Sequence, residues 1–205
     1  MIAKNFLLTT AIATLALAGS PVGSGQWTEV HPEFHLQQCA GGEVSGDSYT
    51  LPKSPNGSTS GSGCRNGHLR AERSYENHYT SGVHQFGGEF NITSLTGTHI
   101  ALKQTHGVNS NFFIMGIKNN GDIYEIHSGR PIASGVAKVG TTVRINTIHD
   151  TNKKTYALYI NGKLSYTDDN APSGDAYYDK CGAYAATSGY GTITVNWDDV
   201  QFWTQ

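Results

Sequence analysis

Helical periodicity is missing from this sequence. No long stretch of the 205 residues repeats apolar side chains every three to four positions, which excludes a helical bundle. An excess of charge of one sign is missing too. Fourteen Lys and Arg stand against sixteen Asp and Glu, for a formal charge of −2. That balance offers nothing to a nucleic acid. There are nine histidines but no H-E-x-x-H spacing, so no metal site is expected. No E-x-D-x-E pattern occurs among the carboxylates, which argues against the paired-acid chemistry of glycoside hydrolysis. Beyond the N-terminus, no run is apolar enough to cross a bilayer.

The first residues read as a targeting segment. Lys4 gives a positive start, residues 6–18 are apolar and uncharged, and Ala16-Leu17-Ala18 has the small-x-small form of a cleavage site. The expectation is a secretory signal peptide over 1–18 and one domain over 19–205. The product would be secreted, extracellular and monomeric, with no membrane partner. Three cysteines allow three pairings. In an oxidising compartment Cys39 and Cys64 would close a loop rich in Gly and Ser. Cys181 is then the odd one, a small core residue. Asn56-Gly57-Ser58 and Asn91-Ile92-Thr93 are glycosylation sequons if the host is eukaryotic.

What is abundant is strand signal. Runs of Val, Ile, Thr, Tyr and Phe are broken by Gly and Asn. FFIMGIKNNGDIYEI should turn at Asn120-Gly121 and TYALYINGKLSYT at Asn161-Gly162, since Asn-Gly suits the type I′ turn. TITVNWDDVQFW reads as a strand with a bulge near Asp198-Asp199. Residues 41–68 read as a long loop. Many short antiparallel strands define an all-β fold, a β-sandwich jelly roll of the concanavalin A-like kind. Its concave sheet would form a groove.

Three strands carry polar residues at period two, so each set shares a face. LRAERS presents Arg70, Glu72 and Ser74. ALKQTHG presents Gln104 and His106. YYDKCGAY presents Tyr178, Lys180, Gly182 and Tyr184, with Tyr177, Asp179, Cys181 and Ala183 on the other face. Each set alone is commonly an exposed ion pair or a snorkelling surface pair. Together they match the needs of β-elimination on a uronic acid polymer. The sugar carboxylate must be neutralised, which Arg and Gln donors can do. A base must take the C5 proton and an acid must protonate the departing O4, roles that suit His and Tyr. No cofactor and no metal is required.

LRAERS, QTH and YDKCGAY, in this order over residues 69–186, resemble the three signature strands of polysaccharide lyase family 7, the alginate lyases. The resemblance implies a jelly roll acting on an acidic polysaccharide. Arg70 and Gln104 would neutralise the carboxylate, His106 would assist or act as base, and Tyr184 would be the acid, and base as well in a one-sided elimination. Glu72 would orient Arg70. Lys180 would contact the sugar acid, with Tyr178 at the groove edge and Gly182 leaving room for a sugar ring. Ser74, Thr105, Cys181 and Ala185-Ala186 depart from the family pattern, so the related glucuronan lyases stay open. Thr105 has the shape of Val, which in the family leans toward polymannuronate.

Arg144 is the most plausible further cation for the groove. His68 and His78 flank the first motif and could reach the groove, with surface histidine the preferred reading. A non-catalytic carbohydrate-binding module or lectin is the rival class. It would need exposed aromatics, for which Tyr75, Tyr79, Tyr124, Tyr177 and Tyr190 are candidates.

Overall fold

The computed structural model describes residues 19–205, apart from residues 61, 62, 65, 110, 187, 188 and 190. The expected signal segment and Tyr190 lie outside the described residues. Among those described, no helix is long and apolar enough to cross a membrane.

Among the described residues, fifteen strands form two antiparallel sheets. The first sheet holds β1 (Thr28–Val30), β3 (Glu43–Ser45), β4 (Ser48–Leu51), β6 (Val83–Leu95), β11 (Thr142–Asp150), β12 (Thr155–Ile160), β13 (Lys163–Asp168) and β15 (Ile193–Thr204). Its order is β13-β12-β11-β6-β15-β4-β3, with β1 on β15. The second sheet holds β2 (Phe34–Cys39), β5 (Leu69–Tyr75), β7 (Ile100–Gly107), β8 (Asn111–Ile117), β9 (Ile123–Glu125), β10 (Pro131–Ala133) and β14 (Tyr177–Ala185), in the order β10-β9-β8-β7-β14-β5-β2. This is the jelly-roll sandwich expected from the strand pattern.

Local chemistry accounts for the turns. Asn161 and Gly162 have φ of 50° and 77°, the double positive φ that a type I′ hairpin between β12 and β13 requires. The β15 bulge falls where expected: pairing with β6 shifts between Asp198 and Gln201, and Asp199 has φ of 51°. Residues 41–68 are not all loop, because β3 and β4 form a hairpin there and extend the first sheet. Turn residues Gly46-Asp47 join strands in that hairpin.

The core lies between the sheets. Trp197, Phe86, Phe90, Tyr49, Leu51 and Ile92 from the first sheet meet Ala71, Tyr75, Leu102, Phe113 and Cys181 from the second. Phe86 packs edge-on against Trp197 and Phe202 at centroid distances of 6.0 and 5.4 Å. Cys181 is buried, and Cys39 pairs with Cys64. Burial pushes the Cys181 thiol up to about 12, so it is inert.

Lys103 and Asp179 form an inward-facing ion pair. Lys103 is fully buried and donates to Asp179 Oδ1 (2.8 Å), Tyr156 Oη (3.0 Å) and Thr105 Oγ1. Asp179 also accepts from Thr105 Oγ1 and from Asn77 Nδ2, each at 2.8 Å. The ammonium thus has three acceptors, which a buried charge needs. Thr105 points into this network and not into the groove. Its hydroxyl, which Val lacks, is what the position uses.

Candidate functional site

Strand register assembles the site on the outer face of the second sheet. In antiparallel pairs, opposed residues share a face. Tyr184 lies opposite Arg70, Gly182 opposite Glu72, and Lys180 opposite Ser74. On the other flank of β14, Lys180 lies opposite Gln104 and Tyr178 opposite His106. Strand β2 adds His35, Gln37 and Cys39 opposite Ser74, Glu72 and Arg70. The period-two reading of the three polar strands is therefore correct in phase.

Glu72 is the hub. It is fully buried, and its carboxylate accepts Arg70 Nη1 (2.5 Å) and Gln104 Nε2 (2.5 Å). It holds both donors in place. Lys180 is nearly buried and donates to Gln37 Oε1 at 3.1 Å. Arg70 Nη1 approaches the same oxygen at 3.5 Å. Burial lowers the Lys180 ammonium from its ordinary value; Glu72 opposes that and Arg70 adds to it. Gln37 gave no signal in the sequence, because its strand carries no matching motif.

At one end of this cluster stands Tyr184. The Arg70 guanidinium lies over its ring at 4.4 Å. Asn66 Nδ2 donates to its hydroxyl at 3.1 Å, and His68 Nδ1 hydrogen-bonds the same oxygen. With Asn66 donating, the hydroxyl can pass its own proton to Nδ1. Burial lowers the His68 imidazole from its ordinary value, and the Arg70 charge lowers it further, which favours the neutral ring that can accept. The disulfide from Cys39, beside Arg70, pins the segment bearing Asn66 and His68 over Tyr184. His68 thus reaches Tyr184 at the candidate site, the placement that the sequence ranked second to a surface one.

His106 occupies the other end. Its Nδ1 donates to the Gly107 carbonyl at 2.5 Å, which leaves Nε2 with the lone pair. Burial lowers its basicity first and Lys180 second. The Tyr178 ring stacks on His106 at 5.0 Å and meets His78 at 5.0 Å. One neighbour comes from β7 and the other from the segment after β5, so Tyr178 is gripped from both flanks. His106 does not meet Tyr184 within hydrogen-bond reach; that place belongs to His68.

Two expectations are corrected. Arg144 lies on β11 of the first sheet, away from this cluster, where it pairs with Asp199 (2.7 Å) and Glu89 (3.5 Å). Its strand was legible, but its sheet was not. Gly182 is not primarily a gap for a sugar. Its φ is 139°, and a Cβ there would stand 2.3 Å from the Ala71 carbonyl oxygen and 2.9 Å from Tyr49. Glycine is needed for the backbone, where the β14 pairing with β7 shifts between Cys181 and Tyr184.

Fold and site together define a jelly-roll sandwich with a cation-rich, tyrosine- and histidine-bearing outer face. No known sequence family and no curated protein matches the chain. Solved structures do. The marine PL7 alginate lyase AlyA1 from Zobellia galactanivorans is 13% identical, with a TM-score of 0.61 over 87% of this chain and 95% of that one. The alginate lyase from Corynebacterium sp. is 18% identical, with a TM-score of 0.59 over 80% and 81%. The carbohydrate recognition domain of Emp47p is 10% identical, with a TM-score of 0.53 over 92% of each. At these identities the comparisons establish a shared fold.

Proposed function

We propose that this chain is a polysaccharide lyase of the alginate lyase type, cleaving a uronic acid polymer by β-elimination. The observation that carries the reading is the convergence of Arg70, Gln104 and Lys180 beside the Tyr184–His68 pair. The three donors neutralise the C5 carboxylate and make its neighbouring proton removable. Tyr184, its proton passed to His68, takes that C5 proton. The C4–O4 bond breaks, a C4–C5 double bond forms, and the same proton goes from Tyr184 to O4. No redox partner enters this balance.

A single dyad on one side of the sugar suits syn elimination. That stereochemistry fits mannuronate or glucuronate, in which H5 and O4 lie on the same side. Polymannuronate is the preferred substrate of this reading, and glucuronan is the alternative. His106 then serves the carboxylate from the far end of Lys180. The chain is read as secreted after loss of residues 1–18, acting as a monomer without cofactor.

Four of the five tyrosines that the binding-module reading needs exposed are among the described residues. Tyr75, Tyr79, Tyr124 and Tyr177 are all buried. The deciding experiment mixes the protein with polymannuronate, polyguluronate and glucuronan and follows ultraviolet absorbance of the unsaturated product. Absorbance with polymannuronate or glucuronan is the expected outcome. Silence on all three polymers sinks the lyase reading in favour of the module.

A further inference from the structure

On the site face, one group of charged residues has no part in the elimination. His35 Nδ1 meets Glu76 Oε1 at 2.9 Å, and His78 Nε2 meets Glu76 Oε2 at 3.2 Å. Two imidazoles thus share one carboxylate, and all three side chains are about half exposed. His35 shares its face with Gln37, Ser74 and Lys180. His78 leans on Tyr178, whose other flank carries His106. The triad therefore lies across Ser74 from Lys180, on the side away from Tyr184.

Its charge depends on two protons. With both imidazoles neutral, Glu76 leaves the triad at −1. With both protonated, the sum is +1. The same three side chains therefore repel or attract a carboxylate according to proton supply. The charged and titratable groups nearby are Lys180, Arg70 and Glu72 in the site, His106 beyond Tyr178, and His31 and His84, which line a cleft of about 320 Å³ with Glu76 and His78.

We propose that His35, Glu76 and His78, with the Tyr178 edge, form a further subsite that takes the carboxylate of a neighbouring uronate unit and engages it when the two histidines are protonated. This rests on the acidic-polymer reading above and extends it by one named position. A polyuronate offers a carboxylate on every sugar, so a chain held at Lys180 brings another to its neighbour. The sugar acid stays ionised well below the ordinary imidazole range, so the histidines decide the sign of the contact.

The test is calorimetric titration of polymannuronate into Tyr184→Phe protein at pH of about 5.5 and about 7.5, either side of the ordinary imidazole range. An exposed charge contact changes affinity roughly threefold, so two should give about tenfold tighter binding at the lower pH. His35→Asn with His78→Asn should remove that part of the pH dependence. Glu76→Gln should tighten binding roughly threefold at the higher pH, where the carboxylate alone repels. The proposal is overturned if the double variant keeps the full pH dependence, or if Glu76→Gln leaves high-pH affinity unchanged. Either result leaves the lyase reading standing, since that depends on unsaturated product from the unsubstituted protein. Loss of product with the pH-dependent binding intact would overturn the lyase reading alone.

Discussion

His68 and Tyr184 share a hydrogen bond although 116 residues separate them in the chain. One stands in a Gly-rich loop and the other near the end of a central strand. The Cys39–Cys64 disulfide, the Asn66 amide and the Arg70 guanidinium meet around that bond. A phenol with an imidazole on its oxygen and a cation over its ring has the parts that the proposed proton shuttle needs.

The shuttle can be tested by deletion. Tyr184→Phe removes one hydroxyl and should nearly abolish turnover while leaving thermal unfolding little changed. His68→Ala should lower kcat by roughly 10²–10⁴-fold, the usual range for a general acid–base group. His106→Ala should raise KM more than His68→Ala does, if His106 serves binding. Initial rates from product absorbance decide all three.

Opening the disulfide should separate activity from stability. Cys39→Ser with Cys64→Ser should cost about 3 kcal/mol, the common range for a bridge closing a loop of this size. The loss of turnover should exceed what the unfolded fraction explains, because Asn66 and His68 lose their tether over Tyr184. A kcat unchanged at full folding would show that the loop holds its place without the bridge.

The buried ion pair gives an asymmetric prediction. Lys103→Met alone strands the Asp179 carboxylate in the core and should cost about 3–5 kcal/mol. Adding Asp179→Leu should recover most of that, since a buried pair replaced by apolar side chains is often neutral or better. Burial lowers the Lys103 pKa, but Asp179 and Tyr156 outweigh it and raise the pKa above 10.5. Its contribution is present below the unfolded value and lost as pH rises through the folded one. Urea unfolding of the single and double variants, with a scan to alkaline pH, checks both statements.

His149 should govern acid stability. Burial lowers its pKa to about 4, against opposing contacts from Pro172 and Asp179. Its Nε2 donates to the Pro172 carbonyl and its Nδ1 accepts from Tyr79, each at 3.1 Å. A depressed histidine binds its proton more readily unfolded. Stability is therefore full above about 6.5 and lost as pH falls toward 4, by about 3 kcal/mol. Thermal unfolding of His149→Gln between those pH values should show a flatter slope.

Much of this architecture was legible because strands alternate. Arg70, Glu72, Gln104, His106, Lys180 and Tyr184 share a face as period two requires, and both Asn-Gly turns fall between the strands they were expected to join. What escaped the sequence has physical causes. Which sheet a strand joins depends on long-range pairing, so Arg144 was misplaced. His68 and Gln37 are brought in by a disulfide and a register, neither of which leaves a local pattern. Gly182 was given a substrate role because a positive φ cannot be seen in a one-letter code.

Strands β7 and β14 carry polar side chains on both faces, with Lys103 and Asp179 inward and Gln104, His106 and Lys180 outward. A slip of one residue would exchange these sets. The inward pair would lose its partners to solvent, and the outward donors would be pressed against Phe86 and Tyr156 with no acceptor. Mispaired folding intermediates are therefore penalised from two sides at once. The strands that carry the candidate site thereby proofread their own assembly, and a chain that has buried its core correctly has also aimed its donors.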